Sequence, residues 1–137
     1  MIVGTLIVRS LLSGCIAALL SYYISSKALK LAGDMVIIYL SPILEELFKT
    51  AFALLLEGGI FLSHATFGAI EAVYDIWTNE GGSAYWAGIA SIVSHGAFGA
   101  ITQLVISRTG SSFLGIAAAV LIHTAWNYKV IGFKNRY

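Results

Sequence analysis

Five long apolar stretches, separated by short polar segments, dominate the pattern of hydrophobic and polar positions along this chain. They run over about 2–25, 35–56, 60–77, 84–107 and 112–133. Each is close to the ~20 residues that an α-helix needs to cross the ~30 Å hydrocarbon core of a bilayer. The runs are continuous rather than alternating, which argues against a β-barrel and for helices whose backbone groups bond internally. The pattern therefore predicts an all-α bundle of about five membrane spans.

The composition agrees with this prediction and narrows the class of protein. Of the 137 residues, 58% are hydrophobic and 11% are charged, and the mean hydropathy is +0.86. Soluble domains average about 45–50% apolar and about 25% charged residues. The length allows a single integral-membrane domain, 1–137. A net charge of +1 without a basic run excludes a nucleic-acid-binding surface, and the single Cys15 allows no internal disulfide.

The distribution of basic residues predicts how the bundle lies in the cell membrane. With five spans, Lys27, Lys30, Lys134 and Arg136 fall on one side, and Arg108 falls on the other. Because Lys and Arg are enriched in cytoplasmic loops, we expect the amino terminus outside and the carboxyl terminus in the cytoplasm.

The second span contains the only proline of the sequence, Pro42. Proline lacks a backbone donor, and its ring clashes with the preceding turn. We therefore expect a kink or a restarted helix at Pro42, with Ser41 as its N-cap. Glu45 and Glu46 would then lie in the first turns of that helix, where the helix dipole favours negative charge.

Charged and imidazole side chains lie deep in these apolar stretches. Counted from the outer end of each span, one such group on each of four spans lies about ten to twelve residues in, or ~15–18 Å at ~1.5 Å per residue. These groups are Glu46, Glu71, His95 and His123. A charge near the midplane costs roughly 2.5–3.5 kcal/mol even on insertion scales, so it persists only with partners. We expect the four helices to form one buried polar pocket.

The residue types in this pocket are those that activate water. Two histidines and a carboxylate, His95, His123 and Glu71, match the ligand set of a catalytic zinc site with one open position. Glu45 or Glu46 would serve as the general base. In a metal-free alternative, a buried glutamate paired with histidine deprotonates the water. The sequence contains no HExxH motif, Gly-rich phosphate loop or GxSxG elbow.

Four further polar residues flank this set. Of the two adjacent glutamates, one is expected to face the pocket and the other to pair with Lys49. Asn127 lies one turn after His123, so its amide is expected to donate to the oxyanion of a tetrahedral intermediate. His64 lies near the outer end of the third span, where an interfacial role is expected. Asp75 lies near the inner end, where a solvated role is expected.

Four motifs occur in order on successive spans. They are Glu45-Glu46-x-x-Lys49, Phe67-x-x-x-Glu71, His95 and His123-x-x-Trp126-Asn127. Together, over about 42–127, they resemble the PrsW family of intramembrane proteases. More distantly they resemble the clan of CAAX-processing and bacteriocin-processing proteases, which includes the Aph subunit of γ-secretase. The resemblance implies a helical protease that cuts membrane proteins or membrane-anchored peptides, with Zn²⁺ or a glutamate alone activating the water.

Two other functions remain compatible with these residues. One is a non-catalytic membrane scaffold of the Aph type, in which the polar pocket only holds the helices together. The other is a proton or metal-ion transporter, since chained carboxylates and histidines also form relays. Five short spans without inverted repeats argue against the transporter. The sequence predicts no particular oligomeric state.

Overall fold

The computed structural model describes residues 2–78 and 82–134, which are almost entirely helical. Five α-helices follow one another, and no strand occurs in these two ranges. They are α1 (Ile2–Ala32), α2 (Ser41–Leu55), α3 (Ile60–Thr78), α4 (Gly82–Thr109) and α5 (Ser112–Lys134). A π-helical segment, Val36–Leu40, lies directly before α2. The predicted all-α fold is confirmed.

The start of α2 differs from the expected capped restart. The backbone dihedrals at Ser41 are α-helical, with φ −59° and ψ −49°, and the N–H of Ser41 donates to the carbonyl of Val36. The Ser41 hydroxyl lies 3.0 Å from that of Ser25 on α1. The prediction of Ser41 as N-cap is wrong, because the helical backbone continues through this residue from the π segment. The predicted kink at Pro42 stays a prediction.

The turn between α2 and α3 is fixed against α1. Glu57 has a φ of 55°, and its carboxylate lies 2.6 Å from the guanidinium of Arg9. The N–H of Gly59 donates to the hydroxyl of Ser10 at 2.7 Å. A side chain at Gly58 would lie 3.0 Å from the backbone of Ser10, so glycine allows this close approach. The first turn of α3 is therefore held beside the first half of α1.

The bundle has a polar interior and an apolar surface. Among the described residues, buried polar or charged side chains outnumber buried apolar ones. Large apolar side chains are exposed on every helix, for example Leu19, Leu31, Trp77, Val93 and Leu121. A water-soluble domain buries such side chains. The distribution is instead the one expected of helices that face lipid and hold their polar groups inside.

Within the described ranges, three helices are long and apolar enough to cross a membrane by length and composition. They are Val3–Ala32, Gly82–Thr109 and Ser112–Ile131. The α2 helix has only 15 residues, fewer than the ~20 that a full span requires, and α3 carries several polar residues. These helices are compatible with a membrane protein. The count of five spans and the orientation stay predictions, and Arg136, which the orientation used, lies outside the described residues.

Candidate active site

Side chains from four helices meet in one place in the interior. We call these residues the polar cluster. They are Glu45, Glu46 and Lys49 from α2, His64 and Glu71 from α3, His95 from α4, and His123 from α5. All except Glu71 are buried. The structure therefore brings together the four deep groups that the sequence placed at one level.

Two glycines allow the helices to close around the cluster. A side chain at Gly68 would lie 2.8 Å from Cβ of His95 and 3.0 Å from the carbonyl of Ser91. A side chain at Gly99 would lie 2.6 Å from Cβ of His64. Small residues of this kind permit close packing of membrane helices. Here they allow α3 and α4 to approach closely enough for His64 and His95 to reach the same cluster.

Glu46 is the hub of the cluster. Its Oε1 accepts from Lys49 Nζ at 2.6 Å and lies 2.8 Å from His123 Nδ1. Its Oε2 lies 3.3 Å from His64 Nδ1. A ring nitrogen facing a carboxylate carries the hydrogen, so His123 presents N–H to Glu46 and its other nitrogen, Nε2, is a free lone pair when the ring is neutral. The predicted pairing of one glutamate with Lys49 is confirmed for Glu46.

His95 is held from both sides. Its Nδ1 lies 2.8 Å from Lys49 Nζ, and its Nε2 lies 2.5 Å from Glu71 Oε2. An ammonium group only donates, so Nδ1 is the acceptor and Nε2 donates to Glu71. The hydroxyl of Ser91 donates to the same Glu71 oxygen at 2.6 Å. Both nitrogens of His95 are thus occupied within the protein.

Glu45 and His123 face each other across a gap that no hydrogen bond fills. Glu45 Oε2 lies 3.9 Å from His123 Nε2, and this buried oxygen has no hydrogen-bond partner among the described residues. A carboxylate oxygen and an imidazole lone pair are both acceptors, so they attract a group that supplies hydrogens or positive charge. A water molecule at ~2.8 Å from each atom satisfies both. The pair therefore has the chemistry to hold a polarised water or a cation.

Glu45 and His123 also belong to a set of three residues whose ligand atoms lie close enough together to hold a metal ion. One ligand atom from each of Glu45, His95 and His123 lies within 4.8 Å of the others. Two imidazoles and a carboxylate are a usual set for catalytic zinc. The prediction had Glu71 in the place of Glu45, but Glu71 instead contacts His95. Since both His95 nitrogens have partners, an ion bound there must displace either Glu71 or Lys49.

The charge of the cluster also favours a cation. Its charged groups are three carboxylates and one ammonium, Glu45, Glu46, Glu71 and Lys49. With neutral histidines the formal charge is −2, and net charge in a low-dielectric interior is costly unless it is compensated. A divalent ion or added protons would neutralise it.

His64 and Asn127 lie where the sequence did not place them. His64 is completely buried, with Nε2 3.3 Å from Thr50 Oγ1, so the expected interfacial role is wrong. Gly99 lets α4 cover it. The sequence contained a signal for this burial, because His64 lies four residues before Gly68 on the same helix face. Its depth counted from the end of the span pointed instead to an interfacial position. The amide of Asn127 donates to the carbonyl of Ile37 at 2.9 Å, and its role at an oxyanion stays a prediction.

A cavity of about 550 Å³ lies between α1 and α3 and reaches the cluster. Glu45 and Glu71 line it together with Asp75. Most of its other lining residues are apolar, including Ala18 and Phe67. A molecule in this cavity can therefore contact Glu45, whose free oxygen faces His123.

Comparison of the chain with protein-family models, with curated proteins and with solved structures finds no match in any of the three. The resemblance to PrsW proteases therefore depends on the four sequence motifs alone.

Proposed function

We propose that this protein is an intramembrane endopeptidase in which Glu45 and His123 activate water for hydrolysis of a peptide bond. The observation that supports this most directly is the position of Glu45 Oε2, a buried oxygen without a hydrogen-bond partner among the described residues, 3.9 Å from His123 Nε2. A water held there has its hydrogens directed at both acceptors and its oxygen lone pairs free for attack. Glu45 also lines the cavity, so the water is within reach of a substrate.

The remaining cluster residues have positioning roles. Glu46 accepts from His123 Nδ1 and so keeps the Nε2 lone pair of His123 on the side of Glu45. Lys49 holds Glu46 in place, and it bonds to His95. A base oriented by a second carboxylate is the recurring arrangement for activating a weak nucleophile. Glu45 is therefore the general base, whereas Glu46, whose oxygens face Lys49, His123 and His64, is not.

The hydrolytic step follows from these assignments. Glu45 takes one proton from the water as its oxygen bonds to the carbonyl carbon of the substrate. When the carbon–nitrogen bond breaks, that proton passes to the leaving amine. His123 accepts a hydrogen bond from the water at Nε2 and fixes the direction of attack.

We further propose that a zinc ion is bound at this site. The residues that would hold it are Glu45, His95 and His123. A bound Zn²⁺ would lower the pKa of its water and polarise the substrate carbonyl, and Glu45 and His123 would then be ligands of the ion rather than direct hydrogen-bond partners of the water. The metal-free route through Glu45 alone is the alternative.

We place the protein in the cell membrane as a multi-pass protein with five spans, its amino terminus outside and its carboxyl terminus in the cytoplasm. The substrate class is a membrane protein or membrane-anchored peptide, since the site lies among apolar helices whose outer surfaces suit lipid. We expect no nucleic-acid partner, because the net charge is only +1 and the sequence has no basic run.

Incubation of the purified protein with a panel of single-span substrates, read by mass spectrometry, tests the proposal. Removal of a general base lowers rates by about 10²–10⁴-fold, and we expect Glu45→Gln and His123→Ala to fall in this range. Glu57→Gln is the matched control, because Glu57 is exposed and pairs with Arg9 away from the cluster. Cleavage by Glu45→Gln at the wild-type rate would exclude the assignment.

A non-catalytic scaffold is the second candidate, and one observation favours it. Most polar atoms of the cluster bond to one another and tie the helices together, as in the chain from His123 through Glu46 and Lys49 to His95. A scaffold requires these contacts for folding and for nothing else. It predicts no cleavage by the wild-type protein and unfolding in every cluster variant, whereas the protease predicts a folded but inactive Glu45→Gln.

A further inference from the structure

His64 is a buried residue of the polar cluster to which the hydrolytic step gives no role. Its side chain is completely buried on α3, and it belongs to none of the four sequence motifs. A buried polar group is costly unless its atoms have hydrogen-bond partners. The partners of the two ring nitrogens therefore indicate what this histidine does.

One nitrogen of His64 faces Glu46 and the other faces Thr50. Nδ1 lies 3.3 Å from Oε2 of Glu46, and Nε2 lies 3.3 Å from Oγ1 of Thr50. Nδ1 and Oε2 are both buried, and neither has a hydrogen-bond partner among the described residues. Hydrogen bonds between N–H and oxygen are usually about 2.9–3.0 Å long, so a small movement of either side chain completes this one.

The carboxylate of Glu46 determines which nitrogen of His64 carries the hydrogen. An ionised carboxylate only accepts, so a lone pair on Nδ1 would face a negative oxygen, whereas an N–H group there is attracted to it. The lone pair of the neutral ring is then on Nε2, where the hydroxyl of Thr50 can donate. Rotation of the ring by half a turn would place carbon atoms at both positions. The contacts therefore favour the form with hydrogen on Nδ1.

Packing between the helices keeps His64 beside Glu46. The hydroxyl of the preceding residue, Ser63, donates to the carbonyl of Lys49 at 3.1 Å and so ties α3 to α2. On the other side, a Cβ at Gly99 would lie 2.6 Å from Cβ of His64, so α4 closes over the ring. His64 thus approaches Glu46 from a helix other than those of Lys49 and His123.

The second oxygen of Glu46 needs this contact for the carboxylate to keep one orientation. Lys49 and His123 both bond to Oε1. Rotation about the last bond of a glutamate side chain is only weakly restrained by the chain itself, so two donors on one oxygen leave the other oxygen free to turn. An N–H of His64 at Oε2 opposes that rotation.

We infer that His64 is a positioning residue, whose Nδ1–H fixes the carboxylate of Glu46 and thereby keeps the hydrogen of His123 on Nδ1. The inference rests on the proposed function, in which the lone pair on Nε2 of His123 receives a hydrogen bond from the water beside Glu45. If Oε2 of Glu46 loses its donor, the carboxylate turns, and the His123 ring can carry its hydrogen on Nε2 instead. That form offers the water no acceptor.

Nuclear magnetic resonance measures the ring hydrogens directly. Cγ of histidine is bonded to Nδ1 and not to Nε2, so carbon–nitrogen correlations identify each nitrogen, and its ¹⁵N shift shows whether it carries hydrogen. The chain has only three histidines, so labelling them with ¹³C and ¹⁵N gives a simple spectrum in lipid bilayers. Treatment with EDTA removes any ion that would itself fix a ring. We expect hydrogen on Nδ1 in both His64 and His123.

Asparagine and glutamine at position 64 separate the two contacts of the imidazole. The amide nitrogen of asparagine reaches the place of Nδ1, whereas that of glutamine reaches the place of Nε2. His64→Asn therefore keeps a donor for Glu46 and loses Thr50, and His64→Gln does the reverse. We expect His123 to keep its hydrogen on Nδ1 in His64→Asn. In His64→Gln a second His123 signal, with hydrogen on Nε2, should appear.

The same two variants should differ in peptide hydrolysis. A hydrogen bond to a charged group corresponds to about a 10–150-fold effect. We expect His64→Gln to lower kcat by about tenfold or more and to leave KM unchanged, because His64 is not among the described residues that line the cavity. His64→Asn should retain most of the wild-type kcat. Unfolding midpoints of both variants in detergent show whether either has lost its fold.

Three results would overturn the inference. They are hydrogen on Nε2 of His64 in the wild type, an unchanged His123 signal in folded His64→Gln, and equal losses of kcat in the two folded variants. The last would mean that His64 only ties α2 to α3. The wild-type spectrum needs no substitution and so tests the inference even if His64→Gln does not fold. The expected spectra without cleavage by the wild type would support the positioning of His123 and reject the proposed protease.

Discussion

The amide of Asn127 on α5 donates to the carbonyl of Ile37 in the π-helical segment at 2.9 Å. In an α-helix the N–H of Ser41 would bond to Ile37, but here it bonds to Val36. In the π pattern the donor to Ile37 would come from Pro42, which has no N–H. Asn127 thus supplies the hydrogen-bond donor that neither the α-helical nor the π-helical pattern gives to the carbonyl of Ile37. This bond connects α5 to the start of the helix that carries Glu45.

Replacing Asn127 by alanine should destabilise the protein. The carbonyl of Ile37 loses this donor in a part-buried position, and a typical hydrogen bond contributes about 0.5–1.5 kcal/mol to stability. We expect a lower midpoint of thermal unfolding in detergent. Ser107→Ala, which removes an exposed hydroxyl that bonds only within its own helix, is the control. Equal midpoints for Asn127→Ala and the control would contradict the structural role of this amide.

A methyl group at Gly68 should damage the site far more than one at Gly96. The added Cβ at Gly68 lies 2.8 Å from that of His95, whereas nothing lies within 4 Å at Gly96. Gly68→Ala therefore displaces His95 from Glu71, and proteolysis should fall at least tenfold. Gly96→Ala removes a helical glycine from open space and should raise stability by up to about 1 kcal/mol. The prediction is contradicted if the two variants have the same cleavage rate and the same unfolding midpoint.

Glu46→Gln should lower the stability of the folded protein more than Glu45→Gln does. In Glu46→Gln the buried ammonium of Lys49 loses its carboxylate, and breaking a buried pair costs about 3–5 kcal/mol. Glu45 Oε2 has no hydrogen-bond partner among the described residues and only a 3.9 Å contact with His123, so Glu45→Gln should keep the wild-type unfolding midpoint. The double variant Glu46→Gln/Lys49→Met should recover part of the loss. Additive effects of the two single substitutions would show that the pair is not coupled.

Elemental analysis of the purified protein tests whether it binds a metal ion. If Zn²⁺ occupies the donor set, the wild type should contain about one equivalent, and His95→Ala or His123→Ala should contain far less. Glu57→Gln, with its substitution outside the donor set, should match the wild type. Full cleavage activity in a preparation without metal would assign the reaction to Glu45 alone.

The sequence by itself determined the helical class and the existence of a polar interior. Lipid offers no partners for backbone groups, so continuous apolar runs become helices whatever their neighbours are. Carboxylates and imidazoles at equal depth on four of the predicted spans, such as Glu46 and His123, are too costly to face lipid and so must find one another. Both results follow from composition and spacing along single helices.

Only the tertiary structure decided which of these groups keeps an oxygen without a hydrogen-bond partner among the described residues. Glu45 and Glu46 are adjacent and identical in type, but their side chains point ~100° apart around α2. The packing of α5 places His123 in contact with Glu46, whereas Glu45 lines the cavity. His64 joined the cluster because Gly99 of another helix lets α4 cover it. The rotation and approach of one helix relative to another depend on side chains of both, so no single stretch of sequence determines them.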